Sequence, residues 1–211
     1  MKCNQTGRSM IEMLGVLAIV GVLSVGGIAG YSKAMTKLRG NRLIAQITEM
    51  VINIRSIYFQ QNSIQGINNQ ILVQVGAIPG ELIERTGSGA VTLWHAFAGK
   101  VMILPSKSES GKWQAFEIYI NNLDHTTCQS LVIMDWGQDP SSGFQGLYIG
   151  NDEEDITEPK LLEVSGGISQ PDNGIYTPGL HEHSIPLEID ESNRVCACPN
   201  NDCVIGLKYL I

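Results

Sequence analysis

One long uncharged apolar segment lies close to the N-terminal end of the chain. Between Glu12 and Lys33 twenty consecutive residues carry no charge, and most of them are Val, Ile, Leu, Ala or Gly. A helix of this length, at about 1.5 Å per residue, would cross the roughly 30 Å of hydrocarbon in a bilayer. The segment therefore predicts a membrane helix, and the rest of the chain has to be organised around it.

Glu12 lies where the apolar segment begins, one helical turn after Arg8. An acidic side chain in a membrane segment is costly and usually has a partner. Arg8 is one candidate partner, although a cation N-terminal to the anion is the weaker orientation of such a pair. The other candidate is a positively charged terminal amine on a second copy of the chain.

Gly7, Arg8 and Glu12 resemble the type IV prepilin signature, in which a short leader ends in Gly and Glu is the fifth mature residue. The resemblance implies cleavage after Gly7 by a prepilin peptidase, N-methylation of Arg8 and a role for Glu12 in assembly. The family usually has an apolar residue at the position of Arg8. Loss of the leader, residues 1–7, would remove Lys2 and change the formal charge from −7 to −8.

The helical pattern continues beyond the apolar segment without a Gly-Pro break. Apolar residues recur at intervals of three and four up to about residue 62, which indicates one helical face packed on a core. These residues are Leu43, Ile47, Met50 or Val51, Ile54, and Ile57 or Tyr58. We therefore expect one rod of about 50 residues, with a membrane half at residues 8–31 and an amphipathic half at residues 32–62.

Basic residues follow the apolar segment at Lys33, Lys37, Arg39 and Arg42. By the positive-inside rule they would suit a cytoplasmic flank. We favour the opposite orientation, because Lys2 and Arg8 lie at the other end and the cysteines lie C-terminal. Within the segment, Gly26 and Gly30 form a GxxxG pair that permits close helix packing. We expect residues 21–30 to be partly unwound in an assembled filament.

The remaining residues, 63–211, suffice for one soluble domain of about 150 residues. Residues 71–85 are predicted to form short helical segments. Residues 100–104 and 113–120 are predicted to form an antiparallel hairpin with its turn at residues 106–111. Asp124 is expected to cap a helix that carries Cys128. Further strands are predicted at 143–150, 160–164 and 204–211, with exposed loops through most of residues 150–199.

This order of elements is similar to that of type IV pilins. Residues 75–79, Val-Gly-Ala-Ile-Pro, with the later Cys128 resemble the type IVb, PilS-like branch. The resemblance implies an α+β fold of the type IV pilin kind. A long N-terminal helix would pack on a C-terminal antiparallel β-sheet with a disulfide-bounded loop region.

Four cysteines would remain after loss of the leader, which contains Cys3. They are Cys128, Cys196, Cys198 and Cys203. An even number in a chain bound for an oxidising compartment predicts disulfides. A bond between Cys196 and Cys198 would close a very tight loop, so we expect Cys128 to bond one of the other three. A zinc site built from the three C-terminal cysteines is the alternative.

Other candidate sites are weaker. His181 and His183 occupy alternate positions, so on an extended chain both could bind one metal ion, but no third ligand lies at a diagnostic spacing. Residues 151–155, Asn-Asp-Glu-Glu-Asp, could bind calcium through their carboxylates but lack the ligand spacing and central Gly of an EF-hand loop. His95 and His125 have no nucleophile that the sequence ties to them. Trp94, Trp113 and Trp136 suit core and sheet positions. No active site and no cofactor is predicted.

The sequence therefore predicts a structural subunit rather than an enzyme. The resemblance implies a homopolymer made with a prepilin peptidase, an assembly platform and minor pilins. Its head would be periplasmic at the inner membrane before it joins an extracellular filament. The negative net charge argues against nucleic acid as a partner, because phosphate-backbone binding relies on Lys and Arg.

Three alternatives stay open. The chain would be a type II secretion pseudopilin, or a minor or tip pilin, if it is not the main filament subunit. A secreted binding domain with an ordinary signal peptide cut near Ala29 and Gly30 is the second alternative. It leaves Glu12 unexplained. An enzyme with His181 and His183 as metal ligands is the third.

Overall fold

A computed structural model describes residues 10–85, 89–137, 139–150, 175–176 and 185–211. The chain divides into two compact units, Met1–Arg39 and Gly40–Ile211. The described helices are α1 (Met10–Tyr58), α2 (Asn69–Gln74), α3 (His125–Val132) and α4 (Ile189–Val195). The described strands are β1 (Ile83–Arg85), β2 (Val91–Trp94), β3 (Lys100–Ser106), β4 (Ala115–Leu123), β5 (Phe144–Gly150), β6 (Ile175–Tyr176) and β7 (Cys203–Leu210).

The first unit consists, in its described part, of the N-terminal half of α1. This helix contains a stretch that is long and apolar enough to cross a membrane, and none of that stretch is buried in the protein. The helix runs without interruption through residues 21–30. Unwinding of this part in a filament remains a prediction, since the structure holds a single chain.

The C-terminal half of α1 contributes one face to the core of the second unit. That face has the predicted three- and four-residue spacing. Its buried residues are Leu43, Gln46, Ile47, Met50, Val51 and Ile54. The helix ends at Tyr58, four residues before the predicted end, and the Gln61 amide donates to the Tyr58 carbonyl at 2.9 Å. Arg55 in the last turn donates to the carbonyls of Ser141 and Ser142, which joins this helix end to the segment before β5.

The seven described strands form one antiparallel sheet in the order β1-β2-β3-β4-β7-β5-β6. The last strand of the chain, β7, thus lies between β4 and β5 in the middle of the sheet. Phe116, Ile118 and Ile120 alternate along β4 and join the same core as α1. Tyr119 points to the other face, where it packs with Tyr148 and Val204 in a second cluster. Both faces of the central strands are therefore covered.

Asn69 pairs with the edge of β3 that β2 leaves open. Its side-chain amide donates to the Val101 carbonyl at 2.9 Å and accepts from the Ile103 amide at 2.9 Å. The side chain thus replaces one residue of a neighbouring strand. Because Val101 and Ile103 are buried, their backbone groups have little access to water as an alternative partner.

We expect Asn69→Ala to lower the free energy of unfolding by about 2–4 kcal/mol, because it leaves two buried backbone groups without partners. Asn68→Ala is the matched control. Asn68 caps α2 by accepting from the Ile71 amide at 3.0 Å, and loss of a cap costs about 1 kcal/mol. Denaturant unfolding of the full chain in detergent measures both values. Equal losses for the two variants would contradict the strand-replacing role of Asn69.

The predicted hairpin and Asp124 cap are confirmed. Strands β3 and β4 pair from Val101 with Ile120 to Ser106 with Ala115, and the Asp124 carboxylate accepts from the Thr127 amide at 2.9 Å. The helical assignment of residues 71–85 is wrong at its end, where β1 pairs with β2. Strand β2 and helix α4 were not predicted from the sequence. The strand predicted at residues 160–164 lies outside the described residues.

Candidate functional site

Two disulfides fix the C-terminal part of the second unit. Cys128 bonds Cys196, with a Cα–Cα distance of 5.8 Å, and Cys198 bonds Cys203, with a Cα–Cα distance of 5.4 Å. The first bond joins α3 to the residue that follows α4, and the second closes the short turn that leads into β7. The sequence had left the partner of Cys128 open among three residues.

Hydrogen bonds hold α3 and the segment around α4 together beside the first disulfide. The His125 ring donates through Nδ1 to the Cys196 carbonyl at 2.8 Å. The Leu187 amide donates to the Val132 carbonyl at 3.2 Å. Cys128 and Cys196 are both buried. Hydrogen bonds as well as the disulfide therefore join α3 to the described segment around α4.

The zinc alternative for the C-terminal cysteines is wrong in this structure, because the sulfur atoms of all three take part in disulfides. Among the described residues, no group of three or more His, Cys, Asp or Glu could hold a metal ion. His181, His183 and residues 151–155 lie outside the described residues. Trp136 is buried, whereas Trp94 and Trp113 are half-buried and lie against Lys100 and Lys107.

His95 is buried in the turn between β2 and β3. Its Nε2 donates to the Asn121 carbonyl at 2.8 Å, and its Nδ1 accepts from the Phe97 amide at 3.3 Å. This pattern requires a neutral ring protonated on Nε2. A Cβ at Gly99 would lie 2.3 Å from Nε2, so a glycine is needed there. Burial lowers the pKa of His95, and the hydrogen bond to Asn121 opposes this in part.

We expect the second unit to lose stability as the pH falls below about 6.5, the ordinary pKa of histidine. The unfolded chain binds a proton at His95 that the folded chain resists, so the contribution of the neutral ring is present above that pH and is lost below it. His95→Gln should flatten this part of the profile, since Gln retains a donor for Asn121. Melting temperatures between pH 7.5 and 5 check the prediction, and parallel profiles for both proteins would contradict it.

A polar cluster is buried on the sheet face opposite α1. Glu117 on β4 accepts from the Ser106 hydroxyl at 2.5 Å and from the Tyr119 hydroxyl. Lys208 on β7 lies directly across from Glu117 in the strand register. Glu117 and Lys208 are 0% and 1% exposed, respectively. Buried charges of opposite sign at paired positions favour one strand register over its alternatives.

Of the residues predicted to act in maturation and assembly, Glu12 lies in the first turn of α1. Gly7 and Arg8 lie outside the described residues. The apolar side chains that follow Glu12 are exposed along the helix. They are Met13, Leu14, Val16, Leu17, Ile19, Val20, Val22, Leu23, Val25 and Ile28. An apolar surface of this size needs lipid or protein around it.

A family model described as PilS N terminal matches residues 37–169, which is more than half of the chain. The chain belongs to the PilS family. The match includes the C-terminal half of α1 and the strands β1 to β5, the part in which the long helix meets the sheet. The branch suggested by residues 75–79 and Cys128 is thereby confirmed.

This PilS-family chain is also similar to the major structural subunit of the bundle-forming pilus of Escherichia coli O127:H6. The two are 25% identical over 138 residues, which cover 64% of this chain and 68% of the relative. The same figures hold for the subunit of Escherichia coli O111:H-.

The chain is also similar to two solved structures. TcpA, a type IV pilin from Vibrio cholerae El Tor biotype, is 12% identical and matches with a TM-score of 0.53 over 81% of this chain and 98% of its own. The type IVb pilin of Salmonella typhi is 15% identical, with a TM-score of 0.48 over 79% of this chain and 99% of its own. The match to TcpA, together with the long N-terminal helix, the antiparallel sheet and the two disulfides, confirms the predicted α+β type IV pilin fold.

Proposed function

We propose that the chain is the structural subunit of a type IV pilus-like filament. One observation carries the proposal: the N-terminal half of α1 presents an apolar surface that none of the described residues covers. Lipid would surround this helix before assembly, and the same helix of other copies would surround it afterwards. Membership of the PilS family and similarity to the bundle-forming pilus subunit support the proposal. The role is structural and requires no catalytic group.

The proposed organisation of the chain follows from this role. Residues 1–7 are the leader, 8–31 the filament-core helix, 32–62 the amphipathic half of the same helix and 63–211 the globular head. A prepilin peptidase cuts between Gly7 and Arg8 and the new amine of Arg8 is methylated. The carboxylate of Glu12 then pairs with the amine of a neighbouring subunit, because a carboxylate in an apolar helix bundle needs a cation.

The proposed partners are further copies of the chain, the peptidase, an assembly platform and minor pilins. The inner membrane holds the subunit with its head in the periplasm until it joins the extracellular filament. Two disulfides in the head suit both oxidising locations.

The experiment that tests the proposal is the intact mass and N-terminal peptide of the mature protein extracted from membranes. We expect a chain that begins at Arg8, with or without one methyl group. A chain that begins near Tyr31 would mean that the apolar segment is a removed signal peptide, and the filament proposal would be abandoned. Abundance in sheared surface fibres then distinguishes a main subunit from a minor pilin or a pseudopilin, which we expect to be scarce there.

A further inference from the structure

Three exposed cations follow the apolar stretch of α1 within a few residues. They are Lys33, Lys37 and Arg39. Between Glu12 and Glu49 the helix contains no acidic residue that could neutralise them within the same element. The charge of this short segment is therefore purely positive, although the whole chain has a formal charge of −7.

The three cations lie on two opposite sides of the helix instead of forming one face. Lys33 and Lys37 are one turn apart and lie on one side, whereas Lys37 and Arg39 are separated by about 200° around the axis. A protein partner usually contacts one stripe of a helix. A layer of lipid headgroups surrounds a spanning helix on every side, so the arrangement of these cations matches a bilayer surface better than a protein surface.

The positions of these residues along the helix axis also match a bilayer surface. Glu12 and Lys33 are about 31 Å apart along a straight helix, close to the thickness of the hydrocarbon layer. Tyr31 lies just before Lys33 and is 68% exposed. Tyr is enriched where a helix passes from hydrocarbon to headgroups. An aromatic residue and three cations thus occur at the level where the headgroups of one leaflet would be.

Arg42, the next cation along the helix, is engaged within the second unit. It donates through Nε to the Glu81 carboxylate at 2.9 Å, and its Nη2 lies 2.6 Å from the same oxygen. These hydrogen bonds hold the pKa of Glu81 below its ordinary value. Arg42 is for this reason not counted with the other three.

We propose that Lys33, Lys37 and Arg39 form a collar that binds the phosphates of anionic phospholipids on the head side of the membrane. The inference rests on the proposed function in one respect, namely that α1 spans a bilayer before assembly. Cations on the outer side oppose the positive-inside bias, which sets orientation through Lys and Arg on the cytoplasmic side. Contact with anionic headgroups offsets that opposition and fixes the depth of the stored subunit.

The test uses the full chain, reconstituted as a monomer in bilayers of phosphatidylcholine that contain a minority of phosphatidylglycerol. Spin-labelled lipids report which headgroup is enriched next to the helix. We expect phosphatidylglycerol to be enriched about fivefold over phosphatidylcholine at low salt, the size expected for a basic residue at an anionic surface. The enrichment should fall at high salt, since screening weakens exposed charge pairs.

The variant Lys33→Gln/Lys37→Gln/Arg39→Gln should bring the enrichment close to one. The matched control, Arg85→Gln/Lys107→Gln/Lys112→Gln, removes the same charge from the head and should retain it. Absence of enrichment in the unchanged protein, or retained enrichment in the collar variant, overturns the inference. Loss of filaments by the collar variant with unchanged lipid enrichment also overturns it, because the cations would then bind a second copy of the chain.

Failure of this inference can be distinguished from failure of the proposed function. Lipid enrichment is measured on unassembled monomers that have inserted, so it does not depend on filament formation. A mature chain that begins near Tyr31 would remove the spanning helix and end both proposals. A chain that begins at Arg8 and shows no enrichment ends only the collar.

Discussion

Filaments are expected to be lost when Glu12 is replaced by Ala, whereas membrane insertion of the subunit continues. Removal of the carboxylate makes the apolar segment more apolar, so insertion is not impaired. In the proposed filament the same change leaves the amine of a neighbouring subunit in an apolar bundle without its anion. Removal of one partner of a buried ion pair costs about 3–5 kcal/mol. Each subunit addition would then weaken by roughly a hundredfold or more.

Three further variants separate the charge of Glu12 from its packing. Glu12→Gln keeps the shape and removes the charge, so we expect it to behave like Glu12→Ala. Glu12→Asp keeps the charge on a shorter side chain and should retain some filaments. Glu49→Ala removes an exposed carboxylate from the C-terminal half of the same helix and should leave assembly unchanged. The measurements are the yield of sheared filaments and the amount of protein in the membrane fraction. Normal filaments from Glu12→Gln would contradict the pairing mechanism.

The long elements could be predicted from the sequence because their patterns are long. The long uncharged segment and the helical period after it identify α1. The period selects the buried apolar residues from Leu43 to Ile54, but it does not select the buried Gln46, and Ile57 is exposed. Its end was predicted four residues too late, since Phe59 and the polar residues after it contain no helix-breaking residue. The hairpin of β3 and β4 was found because alternation persists through both strands.

Short elements were missed because tertiary contacts, not local sequence, define them. Strand β2 has four residues and β1 has three, too few for a period to be read. Both exist because each pairs with a neighbour across the sheet. Helix α4 lies in a stretch rich in turn-forming residues, where the disulfide of Cys196 and the contact with α3 compensate for a weak local signal.

The buried polar groups also could not be predicted from the sequence. Glu117 alternates with Phe116 and Ile118 along β4, which is the pattern of a strand with one solvent face. In the structure that face is covered, and Glu117 lies opposite Lys208 from the end of the chain. Which strands become neighbours depends on topology, and the central position of β7 cannot be read from its own residues.

The disulfide between Cys128 and Cys196 is expected to contribute most of the stability that the two disulfides provide. Its sequence separation is 68, against 5 for Cys198 and Cys203. The chain-entropy relation assigns about 4 kcal/mol to the longer loop and about 2 kcal/mol to the shorter one. A domain of ordinary stability has only about 5–15 kcal/mol in total. Loss of the longer bond should therefore remove between about a quarter and four fifths of such a stability.

The variants Cys128→Ala/Cys196→Ala and Cys198→Ala/Cys203→Ala test this, and Ala avoids a polar group at positions that are buried or, for Cys198, partly buried. We expect the substitutions at Cys128 and Cys196 to lower the denaturant midpoint about twice as far as those at Cys198 and Cys203. The m-values of the two variants show whether the unfolded state expands when a disulfide is lost. The first pair of substitutions should also loosen the contact between α3 and the α4 segment, which hydrogen bonds such as that from His125 to the Cys196 carbonyl would still join. Equal losses would mean that strain or residual structure outweighs loop length, and that the short loop before β7 matters as much to the fold.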